Sequence, residues 1–454
     1  MKKQLIRIGA FGVSLALLVG LSAGYGKIQA KPKDTKVDTI RVWTNNASTK
    51  SEDEKMIADF NNGIGKTKGI FIEYRVYGGD YNNVLNIAAA ANEAPHLFKL
   101  QQGSVGQFIK AGWVLPIEEM PGGRSFLKKY HTFLQPGYNV FKDKTYSVPV
   151  GVSTLGVAYN KALLKKNGFA KPPETWKELR EMAKVITKNG GGKEFGFIEG
   201  LKSTGYVSAN GLWHFASSVG HSEFNQKTGR FDFRSLKPLL QLWADMRADG
   251  SWFPGVESLN NDQARAQFAE GNIGFKLSAS WDPAVWKEQF PAKMDWGVCR
   301  PVADPQDRYR DYAYQTFSVL LGSKSKEHPA KAFEVLKLFT SDDTIIKLYE
   351  AGKQIPYKRE LLKKVTNQPT VKNFADFADL SSTYSYPMSP KAYLKLEGET
   401  AEVVIAKVIL GLVTPEQAVA DLDKRYNGAL DRAVKDGLDI SEYTNKANLK
   451  YKKR

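Results

Sequence analysis

The stretch that decides the fold runs from Tyr146 to Ile186, YSVPVGVSTLGVAYNKALLKKNGFAKPPETWKELREMAKVI. Its second half specifies both ends of two helices. Asn160 to Asn167 predicts a short helix stopped by Gly168, and Pro172 and Pro173 mark a turn. Thr175 then stands as N-cap with Glu178 three residues on, the pattern of a reciprocal capping box. Trp176, Leu179, Ala183 and Ile186 follow at helical spacing, so this helix has one apolar face.

On either side of this stretch, strand-like and helix-like segments alternate. TIRVWT (39–44) predicts a strand, and SEDEKMIADFNNG (51–63) a helix with a Ser51/Glu54 box and an inner face of Met56, Ile57 and Phe60. IFIEYRVY (70–77) alternates with period two, YNNVLNIAAAANE (81–93) reads as a helix, and HLFKL (96–100) as a short strand. A βαβαβ start implies a largely parallel sheet that takes ligands at the carboxyl ends of its strands. Later segments repeat the alternation: a helix at 260–271, strands at 273–280 and 317–322, and a helical pair at 328–352 closed by Gly352. Thr414, Pro415 and Gln417 open a helix over 414–433. No internal repeat or low-complexity linker interrupts the chain.

The first thirty residues read as an export leader. Lys2, Lys3 and Arg7 precede an apolar run from Ile8 to Leu21, and Ile28-Gln29-Ala30 offers a small-residue cleavage site. Leu21-Ser22-Ala23 is similar to the start of a bacterial lipoprotein signal, but Gly24 stands where the modified cysteine belongs, so no lipid anchor is expected there. Removing residues 1–30 from the 454 leaves 424, more than one core supports, which implies two lobes. The formal charge of +17 becomes +13 without the four basic leader residues. Such a surface suits an acidic ligand or an anionic cell envelope as well as plain solvation. Nucleic acid is not expected of an exported chain without a recognisable binding motif. Cys299 is the only cysteine, so no internal disulfide can form, and it reads as a small buried hydrophobe.

Catalytic signatures fail one by one. The five histidines, at 96, 131, 214, 221 and 328, share no metal-ligand spacing, and neither a metal nor a cofactor is expected. GIGKTKG (63–69) has Phe60 where a phosphate loop needs its first glycine. There is no G-x-S-x-G elbow. Carboxylates abound, but nothing in their spacing selects a glycosidase pair.

The opening stretch resembles the signature region of bacterial extracellular solute-binding proteins of the maltose-binding type, which serve ABC sugar importers. The likeness continues in APHLFKLQQGSVGQFIKAGWVLPIEE (94–119), although His96 stands where the family usually has Asp. It continues in QFAEGNIGFKLSASWD (267–282), SKSKEHPAKAFEVLKLFTSDD (323–343) and ILGLVTPEQAVADLD (409–423). The resemblance implies an α/β protein with the two-lobed, type II periplasmic-binding-protein-like fold. Three hinge crossings join the lobes and the ligand sits in the cleft between them. Crossings are expected near 151–155, near 277–280 and within 323–343. The corresponding lobes are 31–151 plus 279–326, and 152–278 plus 327–454. The function implied is a non-enzymatic carbohydrate receptor for the membrane permease of an ABC importer. It would be monomeric, exported, and placed in a periplasm or at a cell surface. An exported glycosidase or polysaccharide lyase, and an envelope-binding adhesin, are the other readings.

A sugar presents hydroxyls at its edge and C–H patches on its faces, so its pocket needs aromatic planes and fixed polar groups. The resemblance implies Asn45 and Asn46 after the first strand, Gln101, Gln102 and Ser104 after the third, and Ser153 in the first crossing. In the second lobe it implies Tyr206 and Trp213 as stacking residues, and just past the second crossing, in the 279–326 part of the first lobe, Trp281 as an aromatic platform with Asp282 beside it accepting two hydroxyls.

Overall fold

The structure is a computed structural model that describes residues 37–78, 80–100, 105–131, 133–202, 223–303, 311–313, 318–380, 383–385 and 388–444. Two large sheets organise the described residues, the first with a hydrophobic cluster around Ile40 and Val42 and another around Trp43 and Leu320, the second with one large core. In the first, the strands run in the order Ile70–Val76, Asp38–Thr44, Leu97–Leu100, Ser318–Gly322 and Val114–Leu115, with Ser147–Pro149 also paired to Ser318–Gly322. The three N-terminal strands are parallel, as the βαβαβ pattern implies. Ser318–Gly322 runs antiparallel to all three strands it pairs with. The second sheet has the order Trp296–Cys299, Leu155–Asn160, Ile273–Ala279, Phe195–Ile198.

The opening stretch folds as its residues dictate. The Asn160 side chain accepts from the amides of Ala162 and Leu163 and starts the helix Lys161–Lys166. Gly168 follows at φ 80°, left-handed backbone that a residue with Cβ resists. Thr175 and Glu178 form the capping box of Trp176–Asn189, and Trp176, Leu179, Ala183 and Ile186 are its buried face. That face packs into an aromatic cluster in which Trp243 lies 6.4 Å from Trp176, 5.4 Å from Phe197 and 5.1 Å from Trp252. Each fully buried Leu or Ile in such a core stabilises it by about 1.5–3 kcal/mol.

Three expectations are corrected. Ile273–Ala279 is not a crossing, because it lies between two strands of the second sheet with all seven residues buried. The chain stays in that lobe through the helix Asp282–Glu288 and the strand Trp296–Cys299, whose Trp286 and Trp296 belong to the second core. The segment 323–343 is not a crossing either: Phe333, Leu336, Phe339, Ile345 and Tyr349 are part of the first core. The connections between lobes are therefore 150–154, 300–317 and 379–388, and the cores divide the chain at those points. The buried residues of the first core fall within 40–152 and 319–380, and those of the second within 157–299 and 388–443. The strand Asp311–Ala313 pairs in parallel with Thr383–Ser385, so the second and third connections are hydrogen-bonded to each other. Finally, Ser51 does not cap its helix; its hydroxyl bonds Glu52, and Thr49 is the N-cap residue. Among the described residues no helix is long and apolar enough to cross a membrane.

The two boxes make a paired prediction. Thr175→Ala removes a formed cap and is expected to lower unfolding free energy by about 1 kcal/mol. Ser51→Ala removes none and should leave it within about 0.5 kcal/mol. Urea denaturation of both variants checks the pair, and equal effects would contradict it.

Candidate functional site

The carboxyl ends of the parallel strands carry the candidate residues from both lobes. Asn45 follows the strand Asp38–Thr44, and its Oδ1 is buried without a hydrogen-bond partner among the described residues. Asn46 is committed to the turn: its amide donates to Thr44 Oγ1 at 2.9 Å and its Oδ1 accepts from Ser48 at 2.6 Å. Trp43, just before them, is buried and tilted against Tyr77 at 4.9 Å, a floor beneath the loop. Ser153 is buried in the first connection.

In the second lobe, Trp281 is half-buried at the start of the helix Asp282–Glu288. Its indole has no hydrogen-bond or ring partner among the described residues, unlike Trp43, Trp243, Trp252, Trp286 and Trp296. Asp282 is corrected. Its side chain is fully buried, Oδ1 accepts from Arg265 Nε at 2.9 Å and Nη2 at 2.6 Å, and Oδ2 accepts from the Ala279 amide at 3.0 Å. A carboxylate so occupied holds the turn under Trp281 and is not available to sugar hydroxyls. Gln101, Gln102, Ser104, Tyr206 and Trp213 lie outside the described residues.

Arg300 gathers the three connections. Its Nε donates to the Leu155 carbonyl at 3.3 Å, and its Nη2 to the carbonyls of Asp376 and Phe377, both at 3.1 Å. Thr154 Oγ1 donates to the same Phe377 carbonyl at 2.6 Å, and the Thr154 carbonyl accepts from the Ser280 amide at 3.0 Å. On the first-lobe side the Val152 amide donates to the Ile355 carbonyl at 2.9 Å. A planar guanidinium with several fixed donors suits this multiple bonding better than a lysine would.

Each lobe also holds a buried lysine–carboxylate pair, which the sequence reading missed. Lys276 donates to both Glu199 oxygens at 2.8 and 2.9 Å and to Asn261 at 3.2 Å, with both charged side chains at 0% exposure. Burial pushes the Glu199 carboxyl up to about 7 against the pull of the ammonium. In the first lobe, Asp53 Oδ2 accepts from Lys99 at 2.8 Å, Thr49 at 2.9 Å and Tyr74 at 2.7 Å. The signal in sequence is a lysine within an apolar strand, FKL at 98–100 and FKL at 275–277. Cys299 turns its thiol to the Val157 carbonyl at 3.5 Å, and burial pushes the thiol up, which disfavours the thiolate. Among the described residues no cluster of His, Cys, Asp and Glu could hold a metal ion.

Two predictions follow from these buried charges. Lys276→Met strands Glu199 and is expected to cost about 3–5 kcal/mol, whereas the double change with Glu199→Leu should recover most of it. Chemical denaturation of both variants decides, and an equally unstable double variant would contradict the pairing. His96 accepts the Arg41 amide at Nδ1, 3.1 Å away. Burial, then the Arg41 charge, lowers its imidazole to about 4. An unfolded histidine titrates near 6.5, so the stability that neutral His96 contributes is complete above about pH 6.5 and lost as pH falls toward 4. Thermal melts from pH 7 to 4.5 should therefore fall more steeply for the wild type than for His96→Asn; parallel slopes would refute this.

Residues 46–345 match the family model of bacterial extracellular solute-binding proteins. A putative binding protein of Brucella abortus (strain 2308) is 26% identical over 328 residues, covering 66% of this chain and 77% of its own. A maltotriose-binding protein of Pyrococcus abyssi is 24% identical over 332 residues, covering 69% of this chain and 65% of its own. The sugar-binding protein MalE from Xanthomonas citri superposes with a TM-score of 0.70 at 18% identity, covering 88% of this chain and 100% of that one. That likeness confirms the two-lobed type II fold. With the family model spanning both sheets, the chain belongs to the bacterial extracellular solute-binding proteins, an exported family of binding proteins rather than enzymes.

Proposed function

We propose that this protein is an extracytoplasmic receptor that binds an oligosaccharide between its lobes and delivers it to the membrane permease of an ABC importer. The observation that carries the proposal is Trp281. It is a half-buried indole with no ring partner among the described residues, at the carboxyl end of its sheet and braced by the Asp282–Arg265 pair. A flat aromatic face of this kind suits the C–H face of a pyranose ring. Asn45, on the opposite lobe, brings an unsatisfied buried amide oxygen that suits a sugar hydroxyl. Relatives named for maltotriose and for multiple sugars support the same ligand class. Gln101, Gln102, Ser104, Ser153, Tyr206 and Trp213 complete the proposed contact set, and Asn46 shapes the turn that carries Asn45.

The mechanism is hinge bending without chemistry. A sugar held by groups on both lobes makes its full contacts only when they approach, so it favours the closed arrangement by that difference in contact free energy. The paired strands Asp311–Ala313 and Thr383–Ser385, with Arg300 at their root, serve as the axis. The leader at residues 1–30 would place the mature chain outside the cytoplasmic membrane as a monomer. With Gly24 in the lipoprotein-signal position, retention there would not use a lipid at that site.

Thermal melts of residues 31–454 against neutral and acidic oligosaccharides test the reading. One glycan class should raise the midpoint by several degrees through linkage and be recovered intact. Trp281→Ala should then weaken binding about tenfold or more, roughly 1.4 kcal/mol. New reducing ends released from the sugar would establish the enzyme reading instead. No stabilisation by any glycan after unfolding and refolding would overturn the receptor reading.

A further inference from the structure

The two lobes also touch directly, beside the third connection, where Met388 lines the contact, and the contact is built from glycines on one lobe and tyrosines on the other. At Gly106, at the start of the first-lobe helix Val105–Lys110, an added Cβ would lie 1.8 Å from the Tyr393 hydroxyl oxygen. At Gly137 it would lie 2.8 Å from the Tyr443 ring. Tyr393 and Tyr443 belong to the second lobe. Their hydroxyls face each other, and the Gly106 amide faces that of Tyr393. Beside them, the hairpin of Val140–Phe141 and Lys144–Thr145 turns through Lys142 and Asp143, both at positive φ. The Lys142 amide donates to Glu442 Oε1 at 2.7 Å, 300 residues away in sequence. The space left between these groups is about 10 Å³, no more than about one water.

The second-lobe half is rigidly mounted. Ser389 Oγ donates to Glu223 at 3.2 Å, Lys391 bonds Glu223 and Glu402 at 3.3 and 2.9 Å, and the Tyr443 ring lies 6.5 Å from Phe224. Both halves are also close to the hinge in sequence. The hairpin leads into the connection at 150–154, and Met388 to Tyr393 follow the connection at 379–388. A hinge rotation that parts the lobes on this side must break the contact.

We propose that Gly106, Gly137, Tyr393, Tyr443 and Glu442 form a latch that holds a closed fraction of the protein without any ligand. Gly106 is glycine because the Tyr393 hydroxyl occupies the place of its Cβ when the lobes meet. The inference rests on the two-lobed closure described above but not on the sugar, and its test uses none.

Alanine is a better helix residue than glycine, so Gly106→Ala does not weaken the helix it sits in. The three atoms nearest an added Cβ there all belong to Tyr393, across the contact. Spin labels at Ile87→Cys and Leu412→Cys, exposed positions on the two lobes, in a Cys299→Ala background report the interlobe distance by pulsed electron resonance. In sugar-free protein a short-distance population is expected. Gly106→Ala should shift it to longer distances. Tyr393→Ala alone should lose part of it, and adding Gly106→Ala to Tyr393→Ala should change nothing further, because the obstructing ring is gone. The latch is overturned if Gly106→Ala leaves the distances unaltered, or if its effect is as large without Tyr393 as with it. Either result leaves the sugar-receptor reading to its own melts.

Discussion

The Arg300 guanidinium, bonded to the carbonyls of Leu155, Asp376 and Phe377, is the constraint on which the arrangement of the lobes depends. Three backbone connections could cross between lobes with independent flexibility. Here they converge on one side chain and on the Phe377 carbonyl, which Thr154 shares. A charge-assisted donor bonded to several carbonyls is stronger than a neutral bond, and its planarity fixes where the segments can lie. In the proposed closure, bending is rotation about the paired strands Asp311–Ala313 and Thr383–Ser385, with the lobes moving as units.

Rigid lobes are what a cleft needs, and buried charges help to supply them. Lys276 with Glu199, Lys99 with Asp53, and Arg265 with Asp282 are each placed at or near the carboxyl end of a strand. Such pairs add little net stability over apolar residues of the same size, but misplacing one partner is costly. They hold the backbone of the loops that follow: Asp282 takes the Ala279 amide just before Trp281, and Asn261 joins the Lys276 cluster. The polar groups nearest the cleft thus divide into those spent on the scaffold and those left over. Trp281 and Asn45 are left over.

Much of this was legible in the sequence where the determinants are local. The Thr175–Glu178 box, the Asn160 cap and the apolar face of Trp176–Asn189 are encoded within a few residues, and all three form. The crossings were misplaced because lobe membership is nonlocal. Ser278, Ala279 and Ser280 gave Ile273–Ala279 the look of a hinge, but its place between two strands is decided by partners more than a hundred residues away in one case, Leu155–Asn160. The helices Pro329–Phe339 and Asp342–Glu350 return to the first core for a reason no local pattern states: their apolar faces share a core with strands that lie more than 200 residues earlier in the chain, those of Ile40, Val42, Ile70 and Ile72. Asp282 was misread because its neighbour Trp281 suggested a pocket. Its actual partner, Arg265, is brought to it by the turn between helix and strand. Ser51 and Glu54 have the capping-box spacing, but the chain enters that helix one turn of 3-10 helix earlier, through Ala47–Thr49.

Amide hydrogen exchange with and without a stabilising oligosaccharide tests the central claim, that one ligand is held by both lobes in the cleft. The account predicts slowed exchange at 44–47 of the first lobe and 279–283 of the second together, with protection along the connection at 150–154. Protection confined to one lobe, or found only on surfaces remote from the carboxyl ends of the strands, would contradict it.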